Sequence, residues 1–260
     1  MKITFLGTGT SQGVPVIGCP CPVCHSLDFR DRRLRTSAHL EVDGQSLIID
    51  SGPDFRQQVL TNRITRLDGL LFTHQHKDHV AGMDDVRSFN FLQKKAMPIY
   101  ARAEVVDQLK REFAYVFAKD KYPGVPQIEV HVIKDEPFAA QGVPVVPIEV
   151  MHYQLPVFGF RVRDFTYITD AKTISEAEKE KIRGTRVLVL NALQHQQHIS
   201  HFTLEEALAM AEELQAERTY LTHISHNLGL HREVDPTLPP NVALAYDGLT
   251  IHLDDANEVN

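Results

Sequence analysis

The sequence predicts an α+β fold in which two β-sheets pack face to face with helices outside, a four-layer αββα sandwich. Three observations carry this. Strand-like and helix-like patterns alternate along all 260 residues, without a low-complexity stretch or a Pro/Gly/Ser linker. The turn pairs Asp43-Gly44 and Asp247-Gly248 tolerate positive φ and signal antiparallel hairpins. βα units occur in both halves, and a single doubly wound parallel sheet would not need so many hairpins. With 43% hydrophobic and 23% charged residues, disordered, collagenous and coiled-coil classes are excluded. The length permits one large domain or two small ones, with a core that needs no disulfide staples, and a single domain over 1–260 is expected.

Residues 2–6 read as an opening strand, and 38–42 with 47–50 as a hairpin around Asp43-Gly44. Pro53 suits the first turn of a helix over 53–60. Residues 69–72 are a short apolar strand leading into a histidine-rich loop, and 98–101 is another strand. The spacing of Val106, Leu109, Phe113 and Val116 predicts a helix over 103–117. Four strands are expected at 127–133, 143–150, 157–163 and 165–168. A helix at 175–182, a strand at 186–190, a helix at 203–214 and a strand at 218–221 follow. Segments 242–245 and 249–252 read as a closing hairpin around Asp247-Gly248.

A net charge of −7 argues against broad binding to a polyanion such as duplex DNA. No apolar run reaches the roughly 18 residues a membrane helix needs. The opening residues turn polar and glycine-rich too soon for a secretory signal, so the expected location is cytoplasmic. Two features are unusual: 14 histidines, and three cysteines confined to Cys19, Cys21 and Cys24. Cysteines so close cannot build a disulfide framework, and together with abundant histidine they point to metal.

The loop Thr73-His74-Gln75-His76-Lys77-Asp78-His79 carries three imidazoles and a carboxylate in the pattern H-x-H-x-D-H. Such a nitrogen and carboxylate set suits zinc, manganese or iron far better than calcium, which prefers oxygen. Cys19-Pro20-Cys21-Pro22-Val23-Cys24 reads C-x-C-x2-C, three thiolates able to wrap one zinc as a knuckle over 19–24.

H-x-H-x-D-H after a short apolar strand resembles the metallo-β-lactamase superfamily of dinuclear hydrolases. Ile49-Asp50-Ser51-Gly52 resembles its second motif, and His152, Asp170 and His223 stand in order where its distant ligands are expected. The resemblance implies that His74, His76 and His152 hold one divalent ion, that Asp78, His79 and His223 hold another, and that Asp170 bridges them. Asp50 resembles a carboxylate that supports a ligand instead of ligating. Two such cations would activate a bridging hydroxide and clamp the attacking and leaving oxygens of a phosphoryl displacement. Asp78 and His201 are the candidate catalytic residues; His201 stands before Phe202-Thr203-Leu204-Glu205-Glu206-Ala207, which resembles a motif that places a histidine at a helix start beside the metals. Its expected role is general acid or transition-state stabiliser.

His226, three residues after His223, is the expected fourth ligand of a structural zinc, because reaching that ion from His25 beside Cys24 would be awkward. The cysteine cluster together with Thr222-His223-Ile224-Ser225-His226 resembles the accessory phosphodiesterases of the carbon–phosphorus lyase pathway, which act on phosphoribosyl 1,2-cyclic phosphate. The expected substrate is accordingly a small cyclic phosphate, with two catalytic ions, manganese or zinc, and one structural zinc. No membrane or nucleic-acid partner is expected, and a homodimer is left open. Two other readings stand beside this one: a tRNA 3′-processing endonuclease, and a non-catalytic carrier resembling the coenzyme PQQ biosynthesis protein B. Among smaller signals, Arg30, Arg32, Arg33 and Arg35 form either a phosphate-reading patch or a solvated linker. Gly7-Thr8-Gly9-Thr10-Ser11 is expected to be a strand-to-loop turn near the metals, and His195 and His198 are expected at the surface.

Overall fold

The computed structural model describes residues 1–254. Its first sheet contains β1 (Lys2–Gly7), β2 (Ser37–Val42), β3 (Gln45–Ile49), β4 (Gly69–Leu71), β5 (Met97–Ala101), β6 (Ile128–Val132) and β15 (Thr250–His252), in the order β15-β1-β2-β3-β4-β5-β6. The second contains β8 (Val143–His152), β9 (Leu155–Val162), β10 (Phe165–Tyr167), β11 (Thr173–Ile174), β12 (Val187–Asn191), β13 (Arg218–Thr222) and β14 (Val242–Leu244), in the order β11-β8-β9-β10-β12-β13-β14, with β7 (Phe138–Ala140) paired to β8.

The period-2 alternation of side chains places the sheets in layers. In β12, Val187 and Val189 enter the core between the sheets, while Leu188 and Leu190 face the helices on the other side. In β3, Leu47 and Ile49 enter that same inter-sheet core, while Ile48 faces the opposite outer layer. That layer holds α1 (Phe55–Thr61), α2 (Lys77–Val80), α3 (Arg87–Gln93), α4 (Ala103–Glu112) and α5 (Ala114–Phe117). The second sheet is covered by α6 (Glu176–Ile182) and α7 (Leu204–Leu214), with α8 (His231–Val234) near the chain's end. This is the αββα sandwich that the sequence predicts.

Several expectations need correction. The closing segments do not form a hairpin: β14 pairs parallel with β13 in one sheet, and β15 pairs antiparallel with β1 in the other. The Asp247-Gly248 turn carries the chain between sheets because Asp247 is tied down, accepting from the Thr8 hydroxyl at 2.8 Å and the Leu34 amide at 2.6 Å. The helix expected over 103–117 breaks at Phe113, whose φ of −113° and ψ of 44° leave the helical region. The helices between 77 and 93, and the short β7 and β11, carried no periodicity long enough to read. Among the described residues no helix is long and apolar enough to cross a membrane.

Candidate metal centre

The site lies where strands of both sheets end. β4 runs into Thr73-His74, β8 ends on His152, β10 leads to Asp170, and β13 leads to His223. Asp50, Asp170 and His223 all adopt left-handed φ, at 61°, 58° and 55°. None is glycine, and such conformations are held against their cost mainly at functional sites. Gly52 shows how tightly the loops are joined: a Cβ there would come within 2.0 Å of the Asp78 carbonyl oxygen. The Ser51 amide donates to the His79 carbonyl at 2.8 Å, fixing the second motif against the start of α2.

His74, His79 and Asp170 offer ligand atoms within 4.8 Å of one another, as do Asp78, His79 and His223, and also His152, Asp170 and His201. His74 Nε2 and His76 Nδ1 are 2.9 Å apart. Asp170 Oδ2 lies 3.3 Å from His79 Nε2 and 3.4 Å from His223 Nδ1, and its Oδ1 lies 3.8 Å from His201 Nδ1. His74, His79, His152, His201 and His223 thus gather around Asp170, with Asp78 beside His79 and His223, whereas His76 reaches His74 but joins none of these groups.

Supporting hydrogen bonds orient the rings. Asp50 accepts from His79 Nδ1 at 2.7 Å and from the Thr73 amide and hydroxyl at 2.8 Å each. This turns His79 Nε2 inward, where it is buried without a hydrogen-bond partner. His152 Nδ1 donates to the Ser200 carbonyl at 2.9 Å, leaving Nε2 for the site. Thr10 Oγ1 lies 3.3 Å from His223 Nε2, so the glycine-rich turn does approach the cluster. Such outer partners fix tautomers and ring directions at metal sites.

The electrostatics are those of a cation site. Burial opposes the ionised form of Asp170, but His223, His79 and His74 outweigh it and hold the carboxyl well below its usual range. Burial also opposes a charged His79, yet Asp170, Asp50 and Asp78 raise that ring well above its usual value. His74 and His223 are pushed down chiefly by burial. Burial, with His223 nearby, lowers His201 to about 3, and its Nδ1 is buried without a partner. A buried set of imidazoles and carboxylates with orphaned nitrogens aimed inward fits a divalent ion.

The cysteine loop gathers a second, closed donor set. His226 Nδ1 lies 3.3 Å from Cys19 Sγ, 3.3 Å from Cys21 Sγ and 3.6 Å from Cys24 Sγ. Burial raises the Cys21 thiol, but hydrogen bonds from the Cys24 amide and from His226 bring it down to about 6. Burial pushes Cys24 up to about 11. Three sulfurs and one nitrogen with no open position is the donor set of structural zinc. His25 is not part of it.

Other expectations resolve differently. Arg30 pairs with Asp28 at 2.7 Å, Arg35 pairs with Asp54 at 3.1 Å, and Arg33 is buried, donating to Thr8 and the Ala245 carbonyl. Of these four arginines only Arg32 extends exposed into solvent, so they do not make a phosphate-reading patch. His195 is exposed, as expected. His198 instead packs its ring 5.0 Å from that of His201. Its one sequence signal was the three-residue spacing from His201; the Ser200 contact, made by a backbone carbonyl, gave none.

The profile of the β-lactamase superfamily domain matches residues 45–224, and the chain belongs to the metallo-β-lactamase superfamily. Among solved structures, a diphosphatase from the PhnP family is 41% identical, with a TM-score of 0.90 over 97% of this chain and 98% of that one. That likeness places the chain in the PhnP family. Zinc-bound PqqB from Methylobacterium extorquens superimposes with a TM-score of 0.80 at 19% identity, covering 97% of this chain and all of the other, which is a likeness of fold. An octanoyltransferase of Porphyromonas gingivalis is 39% identical over 98% of this chain, and coenzyme PQQ synthesis protein B of Methylobacterium nodulans is 36% identical over 34% of it. The chain spans 52% of the first of these curated relatives and 34% of the second.

Proposed function

We propose that the protein is a metal-dependent phosphodiesterase acting on a small cyclic phosphate of the phosphoribosyl 1,2-cyclic phosphate kind. The convergence of His74, His79, His152, His201 and His223 on the buried carboxylate of Asp170 carries this reading. In it, His74, His76 and His152 would hold one divalent ion and Asp78, His79 and His223 the other, with Asp170 shared between them. Bound there, the ions supply Lewis acidity toward phosphate oxygens and a water acidified for attack. Likeness to a PhnP-family diphosphatase supports phosphoryl chemistry.

The chain's own residues shape the rest. The cavity at the mouth holds about 470 Å³, bordered by His76, His152, Tyr153, Leu155 and Ile199, a size for a small organic phosphate. Tyr153 and Ile199 are exposed there and offer apolar surface to a sugar face or leaving group. His201, two residues before the capping box that Thr203 and Glu206 build at α7, is held beside Asp170; burial keeps its ring neutral, so it would act through one ring N–H as a general acid or as a stabiliser of phosphate oxygens. The net charge of −7 supports a small substrate over a tRNA precursor.

Hydrolysis of bis(p-nitrophenyl) phosphate tests for an enzyme against a carrier, and competition between a cyclic sugar phosphate and a tRNA precursor tests the substrate class. Turnover of the tRNA precursor that the cyclic sugar phosphate fails to inhibit would overturn the small-substrate reading. On the same sample, elemental analysis is expected to give close to three ions per chain, one of them zinc in slow exchange from the cysteine knuckle. At most one ion after reconstitution would sink the two-centre assignment.

His201→Ala is expected to keep its metals and lose roughly 10²–10⁴ in kcat on the cyclic ester, the range of general acid catalysis. An alkoxide leaves poorly without a proton, whereas a nitrophenolate does not need one, so the loss should shrink for the nitrophenyl ester. Equal loss with both would assign His201 to phosphate stabilisation, and no loss with either would remove it from the site.

A further inference from the structure

A second cavity of about 610 Å³ opens on the outer face of the first sheet, at the end of its strands away from the metal centre. Its wall includes Lys2 at the start of β1, Val42 at the end of β2 and Ser46 at the start of β3. Those strands reach the metal-site loops at their other ends, and a strand of five or six residues at ~3.3 Å per residue separates the two places by roughly 15–20 Å.

On a chain of net charge −7, this wall carries four cationic side chains, Lys2, Arg63, Arg66 and Arg163, against the carboxylates of Glu41 and Asp43. Lys2 pairs with Glu41 at 2.5 Å, Arg163 pairs with Asp43, and Arg66 pairs with the buried Asp68 at 2.9 Å. Arg63 is exposed and, among the described residues, forms none of these ion pairs. Guanidinium groups match phosphate and carboxylate oxygens in a two-pronged geometry, which a hydrated ammonium does not.

The floor adds a built polar group. His39 is only 6% exposed. Ser46 Oγ spends its single proton on the Arg66 carbonyl at 2.7 Å, so its 2.8 Å contact with His39 is donated by Nε2–H. Nδ1 of the neutral ring is then an acceptor, has no partner among the described residues, and is not among the fully buried orphan atoms. Burial lowers His39 to about 4, which keeps that acceptor unprotonated at neutral pH. Thr4, Thr65 and Thr250 supply hydroxyls around it, and no Phe or Tyr lines the cavity among the described residues.

We propose that this cavity is a binding site for a small hydroxylated anion of the sugar-phosphate class, separate from the metal centre. Arg63 reads the phosphate, and His39 Nδ1 accepts from a sugar hydroxyl. The site does not depend on the catalytic reading above.

Isothermal titration of the metal-loaded protein with ribose 5-phosphate, and separately with inorganic phosphate, tests it. Binding of ribose 5-phosphate is expected to survive Asp170→Asn, which disables the metal centre, and to weaken at least tenfold in Arg63→Glu. Arg63→Glu should melt at the wild-type temperature, showing that the fold is intact. Ribose 5-phosphate should bind at least fivefold more tightly than inorganic phosphate. No second binding event, a binding event lost in Asp170→Asn and kept in Arg63→Glu, or equal affinities for the two probes would each overturn the proposal.

Discussion

Asp170→Ala is expected to abolish turnover, with kcat/KM falling by on the order of 10⁴ or more, the scale reached when one member of a group acting as a unit is removed. The side chain sits within 3.3–3.8 Å of nitrogens on His79, His223 and His201, and is buried with them. It supplies the negative charge that the His79 ring and any bound cations require, so its loss leaves them without a counter-charge in a medium that screens poorly. Alanine also fits badly at a φ of 58°, where Asp and Asn are better tolerated. Asp170→Asn therefore separates charge from backbone strain: it should melt close to the wild type, lose ions from the histidine–carboxylate cluster, and be as inactive as the alanine variant. Activity within tenfold of wild type in Asp170→Asn, with all ions retained, would remove Asp170 from the centre.

Much of this arrangement was legible in the sequence because short apolar strands are bounded by turn residues and the metal-type residues follow strand ends. Residues 47–49 and 187–190 are unbroken apolar runs, as strands buried on both faces require, and successive side chains do enter different cores. H-x-H-x-D-H is dense enough to stand alone, whereas His152, Asp170 and His223 gained meaning only through order and resemblance. What was hidden depends on long-range or backbone contacts. The Asp247-Gly248 pair looks like a hairpin turn, but its direction is set by Thr8 and Leu34, more than two hundred residues away in sequence. In 77–93 the site residues Asp78 and His79 and the short length of each helix leave too little apolar periodicity to announce the helices. Charge runs mislead for a related reason: Arg30 and Arg35 find acidic partners and Arg33 finds a buried niche that composition cannot reveal.

Cys21→Ser is expected to act on the fold before it acts on the chemistry. Cys21 Sγ faces His226 Nδ1 at 3.3 Å and accepts from the Cys24 amide at 3.4 Å, so it lies inside the donor set. A serine hydroxyl is a poor replacement for a thiolate toward zinc, and three remaining donors leave a structural site open. Zinc contributes on the order of 10 kcal/mol in zinc-finger peptides, comparable with the stability of a whole domain. Here the loop is an addition to a sandwich with its own cores, so the loss should be partial: a melting temperature lower by about 10 °C or more, with about 2–4 °C per kcal/mol for a domain of this size. His226 lies three residues beyond His223, and the Ile224 carbonyl between them accepts from the Thr10 amide at 3.1 Å, which makes this segment the path by which loosening would reach the metal centre. Molecules that remain folded should retain most of their turnover, and they should hold one ion fewer than the wild type. A Cys21→Ser protein that melts at the wild-type temperature and still carries three ions would show that the thiolates bind nothing.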